Sequence, residues 1–248
     1  MEHREIAVGL DIGTTKIVTI VGRKNEFNKI EILGFGKAKS LGVQRGVVSN
    51  ITQTIDSIKH AILEAETDSG AKITNCVVGI AGQHIRSLQH SDYILRENAQ
   101  EVITQADVDL LVQNVHKLVM LPGEEIIHVL PQEFKIDGEP NISEPIGMLG
   151  RRLEANLHIV VGQKAAIGNI FSCVKKSNLE VSGITLEPLA SADAVLSDEE
   201  REAGVCLVDI GGGTVPRSSV DLSSTGEVRF VGTSNANLYV HVPAEEYT

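Results

Sequence analysis

The stretches VGLDIGTTK (residues 8–16) and LVDIGGGT (residues 207–214) follow one pattern, although they lie far apart in the chain. In each, a short apolar run leads to Asp, Ile and Gly and then to a turn of small residues. A strand that delivers Asp11 or Asp209 into such a turn places consecutive backbone N–H groups on its concave side, where they favour an anion. Glycine suits this turn, because a side chain there would keep a phosphate away. The repeat therefore predicts two phosphate-binding turns.

The two aspartates predict a metal ion beside the phosphates. A carboxylate repels a phosphate at close range, whereas a hydrated Mg²⁺ ion takes oxygen ligands and keeps several waters. One such turn alone is typical of a tight hairpin. Two copies, each at the end of an apolar strand, favour a nucleotide held between two lobes of the molecule.

Composition limits the class of protein. The chain has 248 residues, of which 42% are hydrophobic and 22% charged, as in soluble globular proteins. Its net charge of −11 has the wrong sign for binding a nucleic-acid backbone, so no nucleic-acid role is expected. No apolar run approaches the roughly 18 residues that a membrane span needs, and a cytoplasmic location is expected.

Other motifs predict no second chemistry. The three cysteines are far apart among apolar neighbours, which indicates buried thiols in a reducing compartment rather than a metal or redox site. They are Cys76, Cys173 and Cys206. GFGKAKS (residues 34–40) lacks the third glycine of a Rossmann fingerprint and the Ser or Thr of a P-loop, so we interpret it as strand and turn.

Strand and helix signals alternate along the first part of the chain. Runs near residues 5–11, 16–22 and 29–36 predict a meander of three strands. An amphipathic helix should follow, capped by Ser49 or Asn50 and ended by Gly70. Its apolar positions are Ile51, Ile55, Ile58, Ile62 and Ala65. NCVVGIAG (residues 75–82) then predicts a fully apolar strand.

The residue composition changes from about Gln83. Polar segments come first, followed by a helix that opens on a capping-box-like pair, Thr104 and Asp107. Two strand-like runs, EEIIHVLPQEFKIDG and RRLEANLHIVVG, are joined by a loop, EPNISEPIGMLG. We expect residues 84–161 to be an inserted α+β subdomain, residues 1–83 and 162–198 a first lobe, and residues 199–248 the start of a second lobe.

Several stretches along residues 5–214 resemble the FtsA family of bacterial cell-division proteins, within the superfamily of actin, sugar-kinase and heat-shock chaperone ATPases. The resemblance implies an α/β, actin-like (ribonuclease-H-like) ATPase fold whose first lobe carries a small inserted subdomain of the SHS2 type. The stretches are GLDIGTTKIVTIVG, GFGKAKSLGVQRGVVSNI, VVGIAGQHI, ITQADVDLLVQ, EEIIHVLPQEFKIDG, PIGMLGRRLEANLHIVVG and LEPLASADAVLSDEEREAGVCLVDIGGGT.

The resemblance also assigns residues to an ATP and Mg²⁺ site. Asp11 and Asp209 would act on the metal through water, and Glu187 would polarise the attacking water. The phosphate-binding residues would be Gly13, Thr14, Thr15, Lys16, Gly211, Gly212, Gly213 and Thr214. Two alternatives stay open: Glu187 before Pro188 equally fits an acid at a helix start, and Lys16 equally fits a solvated strand residue.

The function that the resemblance implies is an ATP-binding scaffold, at most a slow Mg²⁺-dependent ATPase. Such a scaffold polymerises, links the tubulin-like division ring of FtsZ to the inner face of the cytoplasmic membrane, and contacts later division proteins. The membrane contact in that family uses a C-terminal amphipathic helix. The alternatives are an interaction module of the pilus-assembly type and a sugar-kinase-like phosphotransferase.

The pattern departs from the family after Thr214. Pro216 stands where the family has an acidic residue, and proline would remove a backbone donor there. EVRFVG and LYVHV predict short strands, but neither an adenine-binding glycine segment nor a terminal amphipathic helix follows. We therefore expect a truncated or divergent second lobe and a fragment with impaired nucleotide binding.

Overall fold

The computed structural model describes residues 6–203, 205–210 and 236–240. These residues form two compact units. The first unit contains residues 6–84 and the described residues from 165 onward, and the inserted unit contains residues 85–164. None of the helices in the described ranges is long and apolar enough to cross a membrane.

The strands and helices alternate as expected of an α/β chain. In the first unit they are β1 (Ile6–Ile12), β2 (Lys16–Lys24), β3 (Ile30–Lys39), β4 (Val43–Gln44), β5 (Val47–Val48), α1 (Ile51–Ser69) and β6 (Asn75–Ile80). The inserted unit holds β7 (Ile85–Leu95), α2 (Gln105–Val115), β8 (Glu124–Ile136), β9 (Glu139–Ile142) and β10 (Arg152–Gln163). The chain continues with α3 (Lys164–Lys176), β11 (Glu180–Leu186), α4 (Glu187–Val195), α5 (Asp198–Ala203), β12 (Cys206–Ile210) and β13 (Ala236–Val240).

The first unit is built on a five-stranded sheet with the order β11-β6-β1-β2-β3. β1, β2 and β3 form the antiparallel meander that the sequence predicts. β6 and β11 run parallel to β1, so the carboxyl ends of three adjacent strands lie at one edge of the sheet. The buried faces of these strands are aliphatic, with Leu10, Ile17, Val21 and Val78 at most 1% exposed.

Helix α1 packs on β3 and β2 and has the predicted ends. The side chain of Asn50 accepts a hydrogen bond from the Gln53 N–H at 3.1 Å, and Gly70 ends the helix in the left-handed region at φ 67°. Two of the five apolar positions named from the sequence are not buried, because Ile51 at the first turn is 38% exposed and Ile55 is partly exposed. The buried positions are Thr54, Ser57, Ile58, Ala61, Ile62 and Ala65. The stripe thus starts one turn later.

The inserted unit is an antiparallel sheet with the order β7-β10-β8-β9 and one helix, α2, packed on it. The backbone N–H of Thr104 donates to Asp107 at 2.8 Å, as the capping-box pattern predicts. The core between helix and sheet is aliphatic, with Leu111, Val115, Leu157 and Ile159 fully buried. β7 was not predicted, and β9 lies in the stretch interpreted as a loop.

β12 and β13 form a separate antiparallel pair, with Asp209 opposite Asn237. The predicted second sheet thus opens at Cys206. The predicted strand EVRFVG (residues 227–232) lies outside the described residues, while β13 includes most of LYVHV.

The cysteines of the described core are buried thiols, as predicted. Cys76 and Cys173 are free and at most 1% exposed. Burial raises the pKa of the Cys76 thiol to about 11, so this thiol is not ionised near neutral pH. The side chain of Cys206 lies outside the described part of the structure.

Candidate functional site

The candidate site begins where β1, β6 and β11 end side by side. Asp11 of β1 lies opposite Gly79 of β6, and Gly79 lies opposite Thr185 of β11. Two residues later, Glu187 opens α4 directly after β11. Parallel strands bring their carboxyl ends to the same edge of a sheet, which is where α/β proteins bind ligands. Two of the predicted acids therefore share that edge.

Gly79 occupies the space between these two acids. A Cβ atom added at Gly79 would lie 3.2 Å from the Glu187 Cγ and 3.9 Å from the Asp11 Cα. The Glu187 side chain thus lies over Gly79, beside the backbone of Asp11. Both acidic side chains are partly exposed, and neither is isolated from other groups. The sequence interpretation of Glu187 as a simple helix-start acid and its interpretation as a site acid are both compatible with this position.

The first predicted phosphate turn connects β1 to β2. Ile12 pairs with Ile17, so the turn consists of the residues between them. A Cβ atom added at Gly13 would lie 2.9 Å from the Lys16 carbonyl oxygen and 3.6 Å from Asp11 Oδ1. The turn therefore has no room for a side chain at Gly13. Gly13 and Thr14 are partly exposed, and Thr15 and Lys16 are exposed, so a ligand has access to the turn.

Hydrogen bonds from Gly46 and from Ser40, which follows β3, hold the first turn in place. The Gly46 N–H donates to the Thr14 hydroxyl oxygen at 3.4 Å, and the Ser40 N–H donates to the Thr15 carbonyl at 3.2 Å. Gly46 has φ 76°, and a Cβ atom there would lie 2.1 Å from the Ala81 carbonyl oxygen. Three turns, after β1, before β5 and after β6, therefore meet at this edge of the sheet.

Sequence reasoning did not assign Gly46 or Gly82 to the site. Gly82 has φ 139°, and a Cβ atom there would lie 2.8 Å from the Arg45 carbonyl oxygen. At both positions the positive φ angle and the nearby backbone atoms would disfavour a residue with a side chain. Their signal in the sequence is the position of each glycine just outside a short apolar strand, which by itself indicates only a turn.

His84 lies beside Gly82 and is 3% exposed. Neither ring nitrogen has a hydrogen-bond partner within the described ranges, and Nδ1 would be 3.1 Å from a Cβ atom at Gly82. Burial lowers the pKa of His84 below its usual 6.5. His84 is therefore a neutral side chain in the folded protein near pH 7.

This burial predicts a pH-dependent stability. Because its pKa is lower in the folded state, the contribution of His84 is fully present above the unfolded pKa of about 6.5 and is lost as the pH falls toward the folded pKa. His84→Leu should therefore lose less thermal stability than the wild type between about pH 7.5 and pH 5.5. The same scan on a variant of an exposed histidine, His116→Leu, is the control and should follow the wild type. Parallel curves for His84→Leu and the wild type would contradict the prediction.

The second predicted turn is described only in part. Asp209 lies in β12, but the position of its side chain, and residues 211–214, are outside the described residues. Helix α4, which Glu187 opens, approaches β6, β11 and β12. The assignments of Asp209, Gly211, Gly212, Gly213 and Thr214 to the site stay predictions.

The residues at the first turn fit a nucleotide with magnesium. Mg²⁺ is usually held by one or two carboxylates, with waters and substrate phosphates completing its six oxygen ligands. Asp11 and Glu187 offer carboxylates at one edge, and in the turn beside them Gly13 has no Cβ atom over its own backbone. Within the described residues no group of three or more His, Cys, Asp or Glu side chains forms an all-protein metal cage.

Comparison with known sequences shows which proteins the chain is similar to. The family described as "SHS2 domain inserted in FTSA" matches residues 82–161. The cell division protein FtsA of Pseudomonas aeruginosa is 41% identical over 230 residues, covering 92% of the chain and 54% of that relative. FtsA of Neisseria meningitidis is 39% identical over 213 residues, covering 86% of the chain and 51% of that relative. The chain is an FtsA-like protein. The predicted family resemblance is thus confirmed.

The FtsA-like chain spans about half the length of the curated relatives it matches. Among solved structures it resembles a chain of the PilM-PilN type IV pilus biogenesis complex, with a TM-score of 0.58 and 13% identity, covering 84% of this chain and 56% of that one. A likeness at this identity concerns the fold alone. The predicted actin-like fold is confirmed.

Proposed function

We propose that this FtsA-like chain supplies one half of an ATP- and Mg²⁺-binding site in an actin-like cell-division scaffold. The observation that carries the proposal is the convergence of Asp11 and Glu187 beside the Gly13 turn, with Gly79 leaving the space between them. Bound Mg²⁺ would supply positive charge to the phosphates. In this proposal Asp209 and residues 211–214 face the same phosphates from the other side.

Each residue of the first turn has a proposed task. The backbone of Gly13, Thr14 and Thr15 cradles the β- and γ-phosphates, and Lys16, which is exposed beside them, adds a positive charge. Asp11 would hold the Mg²⁺ ion through water, and Glu187 would orient a water molecule for attack. Catalysis of this kind consists mainly of positioning and charge neutralisation. Because the resemblance is to a family of scaffold proteins, we propose slow hydrolysis at most.

The cellular role follows from the family rather than from the geometry. We propose that the protein polymerises, links an FtsZ ring to the cytoplasmic face of the inner membrane, and contacts later division proteins through the inserted unit. Its relatives in P. aeruginosa and N. meningitidis are named as cell division proteins, which supports this role over a pilus-assembly module or a sugar kinase.

Nucleotide binding is tested by two alanine variants, one in the turn after β1 and one within β1. Gly13→Ala places a Cβ atom 2.9 Å from the Lys16 carbonyl oxygen, whereas Gly9→Ala in β1 meets nothing within 4 Å. In calorimetric titrations with ATP and excess Mg²⁺, we expect Gly13→Ala to bind about tenfold more weakly than the wild type. Gly9→Ala should bind like the wild type.

Two results would contradict the proposal. One is no saturable heat for the wild-type chain at about 5 mM MgATP, a concentration high enough to detect the impaired binding expected of half a site. The other is equal affinity of Gly13→Ala and Gly9→Ala, which would place bound nucleotide away from the first turn.

A further inference from the structure

β3 is an edge strand whose outward N–H groups are taken by acidic side chains. It pairs with β2 on one side, and no other strand within the described ranges pairs with it. The Phe35 N–H donates to Asp68 Oδ2 at 3.0 Å, and the Lys37 N–H donates to Glu64 Oε2 at 2.8 Å. Both carboxylates belong to α1, so the helix occupies hydrogen-bonding positions where a further strand would bind.

The spacing of the two acids matches the spacing of the two donors. Glu64 and Asp68 are four residues apart on one helix face, a rise of about 6 Å. Phe35 and Lys37 are two residues apart in a strand, a rise of about 6.6 Å. Helix α1 comes close enough because Gly36 has no side chain, since a Cβ atom there would lie 1.9 Å from the Ala61 carbonyl oxygen.

Without these acids the edge has the features of an association site. β3 is ten residues long, and three of its apolar side chains are exposed: Ile30 by 73%, Ile32 by 59% and Phe35 by 44%. Long edge strands with exposed apolar side chains pair readily with other chains, and proteins commonly protect such edges with charged groups. An open groove of about 1080 Å³, lined in part by Phe35, Lys37, Glu64 and Asp68, leaves the edge accessible.

The edge strand β3 carries charges that would pair with opposite charges on β3 of a second copy of this chain. Antiparallel pairing of two β3 strands about Phe35 would place Glu31 of each copy opposite Lys39 of the other. The contact is symmetric, so both ends gain the same opposite-charge pair. Glu31 now accepts a hydrogen bond from Arg23 at 3.0 Å and is exposed, so it can reach an additional cation.

We propose that Glu64 and Asp68 form an intramolecular block that keeps β3 from pairing with β3 of a second copy. The block works by satisfying the outward donors of Phe35 and Lys37. It is independent of nucleotide, because none of these groups belongs to the site at Asp11.

The test uses the full 248-residue chain and a matched pair of variants. Glu64→Ala with Asp68→Ala removes both the charges and the acceptors, and we expect about tenfold tighter self-association by analytical ultracentrifugation without nucleotide. Glu64→Gln with Asp68→Asn removes the same charges but keeps carbonyl acceptors, so it should associate like the wild type.

Two further measurements test whether the outward N–H groups of β3 cause the association. In dilute solution the amide hydrogens of Phe35 and Lys37 should exchange about tenfold faster in the double alanine variant than in the wild type. Adding Lys37→Pro to the double alanine variant removes one outward donor and should restore wild-type association.

The proposal is overturned if either the association or the amide exchange of the double alanine variant is unchanged from the wild type. It is also overturned by equal association of the alanine and amide variants, which would make charge repulsion the whole effect. Circular dichroism of each variant separates these outcomes from unfolding, and the exchange rates remain informative for a folded monomer.

Discussion

Gly36→Ala should lower the free energy of unfolding by about 3 kcal/mol, one of the two largest effects that we expect from a single change. Gly36 is buried in β3 under α1. A Cβ atom there would lie 1.9 Å from the Ala61 carbonyl oxygen and 2.6 Å from the Ala65 N. Both contacts are to helix backbone, so a rotamer change cannot relieve them, and α1 must move away from the sheet.

The same substitution at Gly9 is the control for this effect. Gly9 lies in β1 of the same sheet, and a Cβ atom there meets nothing within 4 Å. Gly9→Ala should therefore stay within about 0.5 kcal/mol of the wild type in urea unfolding followed by circular dichroism. Equal midpoints for the two variants would show that α1 does not rest on β3 as closely as described.

Arg96→Ala should destabilise the inserted unit by about 3 kcal/mol. The Arg96 side chain is 7% exposed, and its guanidinium donates to the carbonyl oxygens of Glu101, Val102 and Gly150 at 2.7–2.9 Å. Its Nε lies 3.4 Å from Asp107 Oδ1 at the start of α2. Removing the side chain leaves these acceptors unsatisfied and disconnects two loops from the helix.

Arg152→Ala is the matched control in the same sheet. The Arg152 side chain is 44% exposed, pairs with Glu154 at 2.8 Å and lies over the Tyr93 ring at 4.0 Å. Exposed pairs of this kind contribute at most about 1 kcal/mol. Hydrogen exchange across residues 85–164 measures both variants, and similar protection in the two would contradict the role assigned to Arg96.

Local patterns in the sequence predicted the elements whose cause is local. Asn50 and Gly70 mark the ends of α1, because capping and the left-handed terminal conformation depend on single residue types. β7 was not predicted, since its SLQHSDY segment (residues 87–93) is mostly polar. Its stability comes from pairing with β10, as in Tyr93 opposite Glu154 and Gln89 opposite His158, which local periodicity does not reveal.

In the candidate site, too, the features with a local cause could be predicted and those that depend on strand pairing could not. The turn at Gly13 could be identified from the sequence, because glycine after a strand and an aspartate has a direct chemical meaning. The position of Gly79 between Asp11 and Glu187 could not be identified from the sequence, because it depends on the register of β1, β6 and β11. The contact between the turns of Thr14 and Gly46 depends likewise on tertiary packing.

A nucleotide site at the end of β1 can be tested by relaxation of amide signals by Mn²⁺ in the presence of ATP, because Mn²⁺ replaces Mg²⁺ and broadens the signals of nearby nuclei. We expect selective, ATP-dependent broadening of Gly13, Thr14 and Gly79, and its loss in Asp11→Asn. Sharp signals at these three amides, with broadening elsewhere in the chain, would contradict a nucleotide site at the end of β1.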